Sequence, residues 1–248
     1  MQQLCVEVSS KGFTYSVVNR NSKEITDSGS LIFSGRTEED HKTEIKELLE
    51  KKGLLSFQDE VSLAVLNHQS TLVPQNVFSE STPQAIFNLC FGNTSLDIDY
   101  NRFHEQSLVN VFAIPNWVKS FFVMRYPRII IQHENTHLMR GIFNGSTFSP
   151  TAHLAIQDDY FSLIITSKNK LDFYNIFEYK SVEDFIYHTL FVLEQKEMNL
   201  NELKVNWHAA PSFDNLFNDF KSTLNRLKPN AKFNFQHIHH IKHHLFCV

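Results

Sequence analysis

The feature that most constrains the fold of this chain is an order of elements that occurs twice. Residues 4–8 (LCVEV) and 13–18 (FTYSVV) read as strands around the turn Ser10-Lys11-Gly12, because apolar and polar side chains alternate on either side of a short polar break. A third strand follows at 29–33. Thr37, with Asp40 three positions on, has the chemistry of a helix N-cap: the hydroxyl accepts an orphan N–H, and acids suit the positive end of the helix dipole. Ile45, Leu48 and Leu49 set a helical stripe that Gly53 stops, and 61–66 (VSLAVL) is a fourth strand, aliphatic enough to be central in a sheet. From residue 151 the order returns: strands at 152–156 and 160–165 around Asp158-Asp159, a third at 171–177, a helix opened by Ser181 and Asp184, a strand at 203–207 and a helix from Ser212 through Leu227. Cap and following strand both recur at an offset of 144 residues, from Thr37 to Ser181 and from Val61 to Val205. Agreement of order and spacing predicts an α/β protein built on a duplicated βββαβα unit.

The duplication predicts two domains, a first lobe over 1–149 and a second over 150–248 that ends in a C-terminal helix. Between the copies, about 97–149 is richer than a repeat needs and reads as an inserted segment: a strand pair, a helix over 115–121, a strand at 128–132 and a short helix. It carries Phe103, Phe112, Trp117, Phe121, Phe122 and Tyr126, which belong either to the core or to an exposed patch for a partner. With 23 Phe in 248 residues, a core of large aromatic side chains is expected.

A tandem βββαβα pair resembles the superfamily of actin, sugar kinases and chaperone ATPases, including its pilus-assembly and cell-division members. The chain as a whole resembles a bacterial domain-of-unknown-function family whose described fold is actin-like. The resemblance implies an actin-like (ribonuclease H-like) architecture of two lobes with a cleft between them. It also implies an Asp-x-Gly type turn in each copy's first hairpin, where backbone N–H groups cradle phosphate and the Asp organises Mg²⁺ and water. Glycine serves there because the backbone must approach phosphate closely. This chain has only 7 Gly. Its first turn offers Ser9, Ser10, Lys11 and Gly12, with Ser9 where the acid falls; its second offers Asp158 and Asp159 without glycine. Where the resemblance implies a glycine-rich adenosine loop, the chain reads Trp207-His208-Ala209-Ala210-Pro211. Ser9, Ser10, Lys11, Gly12, Asp158 and Asp159 are therefore the nucleotide-site candidates, and ATP with Mg²⁺ the cofactor they would hold if the site were retained. Three degraded loops argue against turnover.

A second motif competes with that reading. Residues 133–137 spell HENTH, the H-E-x-x-H spacing by which zinc hydrolases hold their metal between two histidines on one helical face. The β-branched run 129–131 ahead of it disfavours helix, and Asn135 or Thr136 is a natural N-cap. His133 and Glu134 then end a strand while His137 opens a helix. The extended motif's third ligand is also missing, with Arg140 and Phe143 in the positions concerned. In the tail, Ile238, Ile241 and Leu245 fit the stripe of a terminal helix, which would leave His239/His243 and His240/His244 as i, i+4 pairs on its outer faces. No metal is expected, with His133, His137, His239 and His243 the weak candidates.

Composition closes off other classes. A net charge of −4 and a pI near 6.3 leave no basic footprint for nucleic acid. Three separated cysteines form neither a disulfide framework nor a metal knuckle. The start, MQQLCVEVSSKG, lacks a charged n-region followed by an apolar core, and the longest apolar runs are too short to span a bilayer. The expectation is a cytoplasmic, non-catalytic binding or assembly module with a degenerate nucleotide site and a protein partner. The alternatives are an ATP-binding protein or phosphotransferase with atypical loops and, more remotely, a zinc-dependent hydrolase acting through HENTH.

Overall fold

The computed structural model describes residues 1–145, 147–201 and 203–246. The chain divides into two units, Met1–Gly141 with the tail from Ile241, and Ile142–His240. In the first, β1 (Gln2–Val8), β2 (Gly12–Asn19) and β3 (Glu24–Ile32) form an antiparallel meander, α1 (Glu38–Lys51) crosses over it, and β4 (Glu60–Val65) returns parallel to β1. The chain then makes β5 (Ser70–Pro74), α2 (Pro83–Phe91), β6 (Asp97–Phe103) and β7 (Leu108–Ile114) before α3 (Asn116–Arg125), β8 (Ile130–His133) and α4 (Glu134–Phe143). The second unit repeats the plan as β9 (Thr151–Ile156), β10 (Tyr160–Ser167), β11 (Lys170–Glu178), α5 (Val182–Gln195), β12 (Lys204–Ala209), α6 (Asp214–Leu227) and β13 (Asn234–His239), and a 3-10 helix over His240–Phe246 follows. The two large sheets have corresponding strand orders, β3-β2-β1-β4-β8 and β11-β10-β9-β12-β13. The duplication thus extends one strand beyond βββαβα.

Local chemistry explains why the copies register so closely. The Thr37 hydroxyl accepts the Asp40 N–H at 3.2 Å while the Asp40 carboxylate accepts the Thr37 N–H at 3.0 Å, and Ser181 and Asp184 make the same reciprocal pair at 3.2 Å each way. Both helices are 14 residues long. Thr37→Ala and Ser181→Ala are each expected to cost about 1 kcal/mol. At this chain length that lowers the melting temperature by roughly 2–4 °C, readable by calorimetry. A shift in only one of the two would separate the copies' caps.

The aromatic-rich segment falls differently from expectation. β5, β6 and β7 form their own three-stranded sheet in the order β5-β7-β6, and α2 packs Phe87 on Val109, Val111 and Ala113 as a separate small core. This is the insertion, spanning 70–114 between β4 and α3. The second unit passes from β12 through a short 3-10 turn straight into α6 at the same point. α3 and β8, assigned to the insertion from sequence, are instead the counterparts of α6 and β13. Phe103, Phe112, Trp117, Phe121, Phe122 and Tyr126 are all buried, between 0% and 6% exposed, so they supply no partner-binding patch.

Each large sheet sandwiches its core by strand alternation. On β1, Leu4, Val6 and Val8 meet Ile45 and Leu49 of α1 and Phe121 and Phe122 of α3. Gln3, Cys5 and Glu7 point to the other face, where Cys5 and Val18 are covered by Ile241 and Leu245 of the tail. The tail is therefore not the outer helix its stripe suggests. Residues 234–239 pair with β12 as a strand, and the 3-10 segment packs into the first unit; the units divide between Gly141 and Ile142 rather than at 149/150, and the tail from Ile241 belongs to the first. Cys247, the end of the expected helix, lies outside the described residues. Among the described residues no helix is long and apolar enough to cross a membrane.

Candidate functional site

The first hairpin turn closes on itself. Ser9 Oγ accepts the N–H groups of both Lys11 and Gly12 at 3.1 Å, and the Ser9 N–H donates to Gly12 O at 3.0 Å. Lys11 O accepts the Phe33 N–H at 3.0 Å, pinning the turn to the end of β3. Gly12 is required here by strand packing, since a Cβ on it would run into Leu31 O of β3. Ser10 and Lys11 are exposed, and Ser9 brings a hydroxyl where a metal-organising acid would stand.

The second turn, in the other unit, is held by Tyr179. Its hydroxyl donates to Gln157 O at 2.6 Å and its N–H to Asp159 O at 3.0 Å, while the Gln157 N–H donates to Tyr160 O at 3.0 Å. Burial, aided by the Asp158 and Asp159 charges, pushes the Tyr179 phenol up to about 12, so it stays protonated and donating. Asp158 and Asp159 are exposed neighbours in a two-residue turn. At the third loop Trp207, His208 and Ala209 are buried within β12, Ala210 is extended and Pro211 opens the 3-10 turn before α6. No residue of these three loops has positive φ. A phosphate nest alternates right- and left-handed residues so that successive N–H groups converge. The residues present do not fit that cradle: two amides of the first turn serve Ser9, and the second turn presents carboxylates.

HENTH straddles the boundary between β8 and α4. His133 is buried at the strand end, and its Nδ1 accepts the Asn135 N–H at 3.1 Å, which caps the helix. Nε2 must then carry the proton, and it donates to Asn67 O at 2.9 Å. Both ring nitrogens are committed, and burial lowers the imidazole pKa to about 4. His137, one turn into α4, donates from Nε2 to Leu63 O at 3.2 Å, and its pKa lies well below the usual value through burial and then the nearby His244. Two histidines whose Nε2 atoms each donate to a separate backbone carbonyl, Asn67 O and Leu63 O, are not a ligand pair. His239 ends β13 while His243 lies in the 3-10 segment, buried against Gly141, so the i, i+4 pair expected on an outer helical face does not form. Sheet pairing along β12 prevails over the helical stripe. Among the described residues no group of three His, Cys, Asp or Glu side chains is placed to hold a metal.

What the fold does assemble is a buried polar network on the far face of the first sheet. Ser62 Oγ lies 2.9 Å from His244 Nδ1, and His244 Nε2 lies 3.5 Å from Glu7 Oε1. Gln3 Nε2 donates to Ser62 Oγ and to His244 O, both at 3.0 Å, and the His137 ring stacks on His244 with centroids 4.2 Å apart. Hydroxyl, imidazole and carboxylate in that order form the relay of a nucleophilic serine. Here, however, Ser62 is 0% exposed and its oxygen already accepts the Gln3 amide, so no substrate carbonyl can reach it. The network fastens the tail to β1 and β4. The second sheet carries a buried polar row on the corresponding face, with His153 Nδ1 3.1 Å from His208 Nε2, its Nε2 3.2 Å from Thr166 Oγ1, and its pKa lowered by burial to about 3. Alternation in β1 and β4 signals the positions of Gln3, Glu7 and Ser62, but nothing local points to His244 as their partner.

Solved structures share this architecture. A Bacteroides thetaiotaomicron protein with an actin-like ATPase fold and unknown function superposes with a TM-score of 0.81 at 19% identity, over 100% of this chain and 96% of that one. The PilM-PilN type IV pilus biogenesis complex gives 0.59 at 13% identity over 98% and 90%. The ethanolamine utilization protein EutJ from Carboxydothermus hydrogenoformans gives 0.54 at 8% identity over 100% and 89%. At these identities the likeness is one of fold, and the fold is actin-like. No curated protein matches the chain in sequence. The model of the family described as protein of unknown function DUF3822 matches residues 1–221, nearly the whole chain, and the chain belongs to that family.

Proposed function

We propose that this protein is a non-catalytic binding or assembly module: an actin-like scaffold whose nucleotide site has decayed and which acts in the cytoplasm on a protein partner. The observation that carries the reading is the first hairpin turn, where the Ser9 hydroxyl takes the two N–H groups of Lys11 and Gly12 and no carboxylate replaces it. The lack of positive φ in all three loops supports it. Cys90, an exposed free thiol, suits a reducing compartment. That one similar structure is a complex of two pilus-biogenesis proteins accords with a partner-binding role on this fold.

Thermal melting in the presence of Mg-ATP tests the reading. A ligand that binds only the folded state stabilises it by RT ln(1 + [L]/Kd), so millimolar ATP on a micromolar site adds about 4 kcal/mol. At this chain length that raises the melting temperature by roughly 10 °C. The expected titration is flat. A saturable upward shift that Asp158→Ala abolishes establishes the ATP-binding alternative instead.

A further inference from the structure

We propose that the groove that begins between α1 and α3 in the first unit and continues past the end of α3 along residues 55–59 is a docking site for an acidic, partly apolar peptide segment of a partner protein, with Lys46, Arg125 and Arg128 as its anchors. The inference deepens the binding-module reading and rests on it. α1 and α3 lie side by side on the first sheet, with Ile45, Leu49, Phe121 and Phe122 in the core beneath them. Above that core two cavities of about 320 and 360 Å³ adjoin, and Arg125 lines both. Lys46 and Met124 border the first; Phe57, Ile129 and Arg128 border the second. A ligand held by Arg125 therefore has apolar wall on either side of its charge.

The cations of the groove differ in their commitments. Lys42 is paired with Glu39 at 2.6 Å, and Asp59, the other carboxylate of the lining, accepts the Gln2 N–H at 2.9 Å. Arg125 is half-buried: Nη1 donates to Phe121 O at 2.8 Å, and the guanidinium lies over the Phe121 ring, 3.6 Å from its centroid. No carboxylate pairs with Arg125, Lys46 or Arg128 among the described residues. Burial lowers the Arg125 pKa, with no carboxylate raising it. A stacked, partly desolvated guanidinium with unspent donors is suited to a carboxylate, which it binds through paired hydrogen bonds.

Two further facts select a peptide over a free polyanion. Arg125 is the last residue of α3, so the anion would sit at the negative end of the helix dipole, a poorer place for phosphate than for a singly charged side chain. Met124, which borders the first cavity and is 75% exposed, adds bare apolar surface that a phosphate would leave uncovered. Three cations without a carboxylate partner among the described residues also run against the chain's net charge of −4, so the groove is locally complementary to an acidic segment.

Selection from a displayed random dodecapeptide library on the full chain tests this. Enriched peptides are expected to carry Asp or Glu flanked by apolar residues. A synthetic enriched peptide, followed by fluorescence anisotropy, is expected to lose about tenfold or more in affinity to Arg125→Glu. It should lose as much to Lys46→Glu/Arg128→Glu, a surface pair whose melting temperature stays at the wild-type value. Gln in place of Glu in the peptide should weaken binding likewise. Enriched peptides without a carboxylate, or equal binding to both variants, would sink the groove while leaving the binding-module reading standing. No enrichment from any surface, together with a positive ATP shift, counts against both. Arg125-dependent binding of a single-stranded oligonucleotide, or Arg125-dependent self-association in sedimentation, reassigns the groove and overturns the peptide.

Discussion

Acidification below about pH 6.5 is expected to destabilise both units. His133 in the first unit and His153 in the second are held neutral by burial, with folded-state pKa values of about 4 and about 3 against 6.5 for an exposed imidazole. The folded value lies below the unfolded one, so the stability these groups contribute is complete above 6.5 and lost as the pH falls below it. Each pH unit in that window costs about 1.4 kcal/mol per histidine, so each unit of the fold loses about 2 kcal/mol by pH 5. His137 adds to the loss in the first unit, its pKa being lowered in the same direction. Urea denaturation between pH 7.5 and 5 should show a steep fall whose slope decreases by about one proton in His153→Gln. Asp40 and Asp184, whose pKa values are lowered by hydrogen bonds in the helix caps, lose their contribution only in the carboxylate range and so do not mimic it. Stability independent of pH in this window would mean that the buried imidazoles are hydrated or charged in the folded protein.

Trp207→Ala should be among the most damaging single changes in the second unit. The side chain is 0% exposed, with ring centroids 5.3 Å from Phe185, 5.3 Å from Phe217 and 5.4 Å from Phe220. Removing it leaves a large cavity in a rigid aromatic cluster, at a cost of about 3–5 kcal/mol. That corresponds to a melting temperature lower by roughly 10 °C. Trp207→Phe should cost much less, because the indole Nε1 is buried without a hydrogen-bond partner and its loss removes an unsatisfied donor. Phe191→Ala, at a side chain 50% exposed, should stay within about 0.5 kcal/mol of wild type and serves as the control. Comparable losses for Trp207→Ala and Phe191→Ala would show that the cluster relaxes around the cavity.

Much of the candidate site was legible because its determinants are close in sequence. Ser9, Lys11 and Gly12 make their hydrogen bonds within four positions, so a turn short of glycine and acid could be read as a poor phosphate cradle from its letters. HENTH is legible in part for the same reason: the β-branched residues ahead of it favour strand, and it does straddle a boundary. But Glu134 already belongs to α4 and the His133 ring accepts the Asn135 N–H, so Glu134 does not end the strand and neither Asn135 nor Thr136 is the cap. α2 carries local signals too, with Pro83 at its first turn and Gly92 at its end, at φ of 80°, as start and stop. The polar network was out of reach. Ser62 and His244 are 182 positions apart, and neither has a local pattern that names the other.

The sequence by itself determined the duplicated plan, since caps, strand alternation and the offset from Thr37 to Ser181 depend on interactions that span a few residues. Only the tertiary structure decided where the insertion lies and what the tail becomes. β5 and β6 both pair with β7 in a sheet of their own, and no local periodicity shows that this sheet stands apart from the repeat. Ile238, Ile241 and Leu245 satisfy a helical stripe, yet the open edge of β12 offers 234–239 a full parallel ladder, and the apolar patch of Cys5 and Val18 on the far face of β1 and β2 offers Ile241 and Leu245 a place to bury. A short terminal helix gains little from its own hydrogen bonds in water, so pairing and burial supplied by distant residues prevail over the periodicity of the tail.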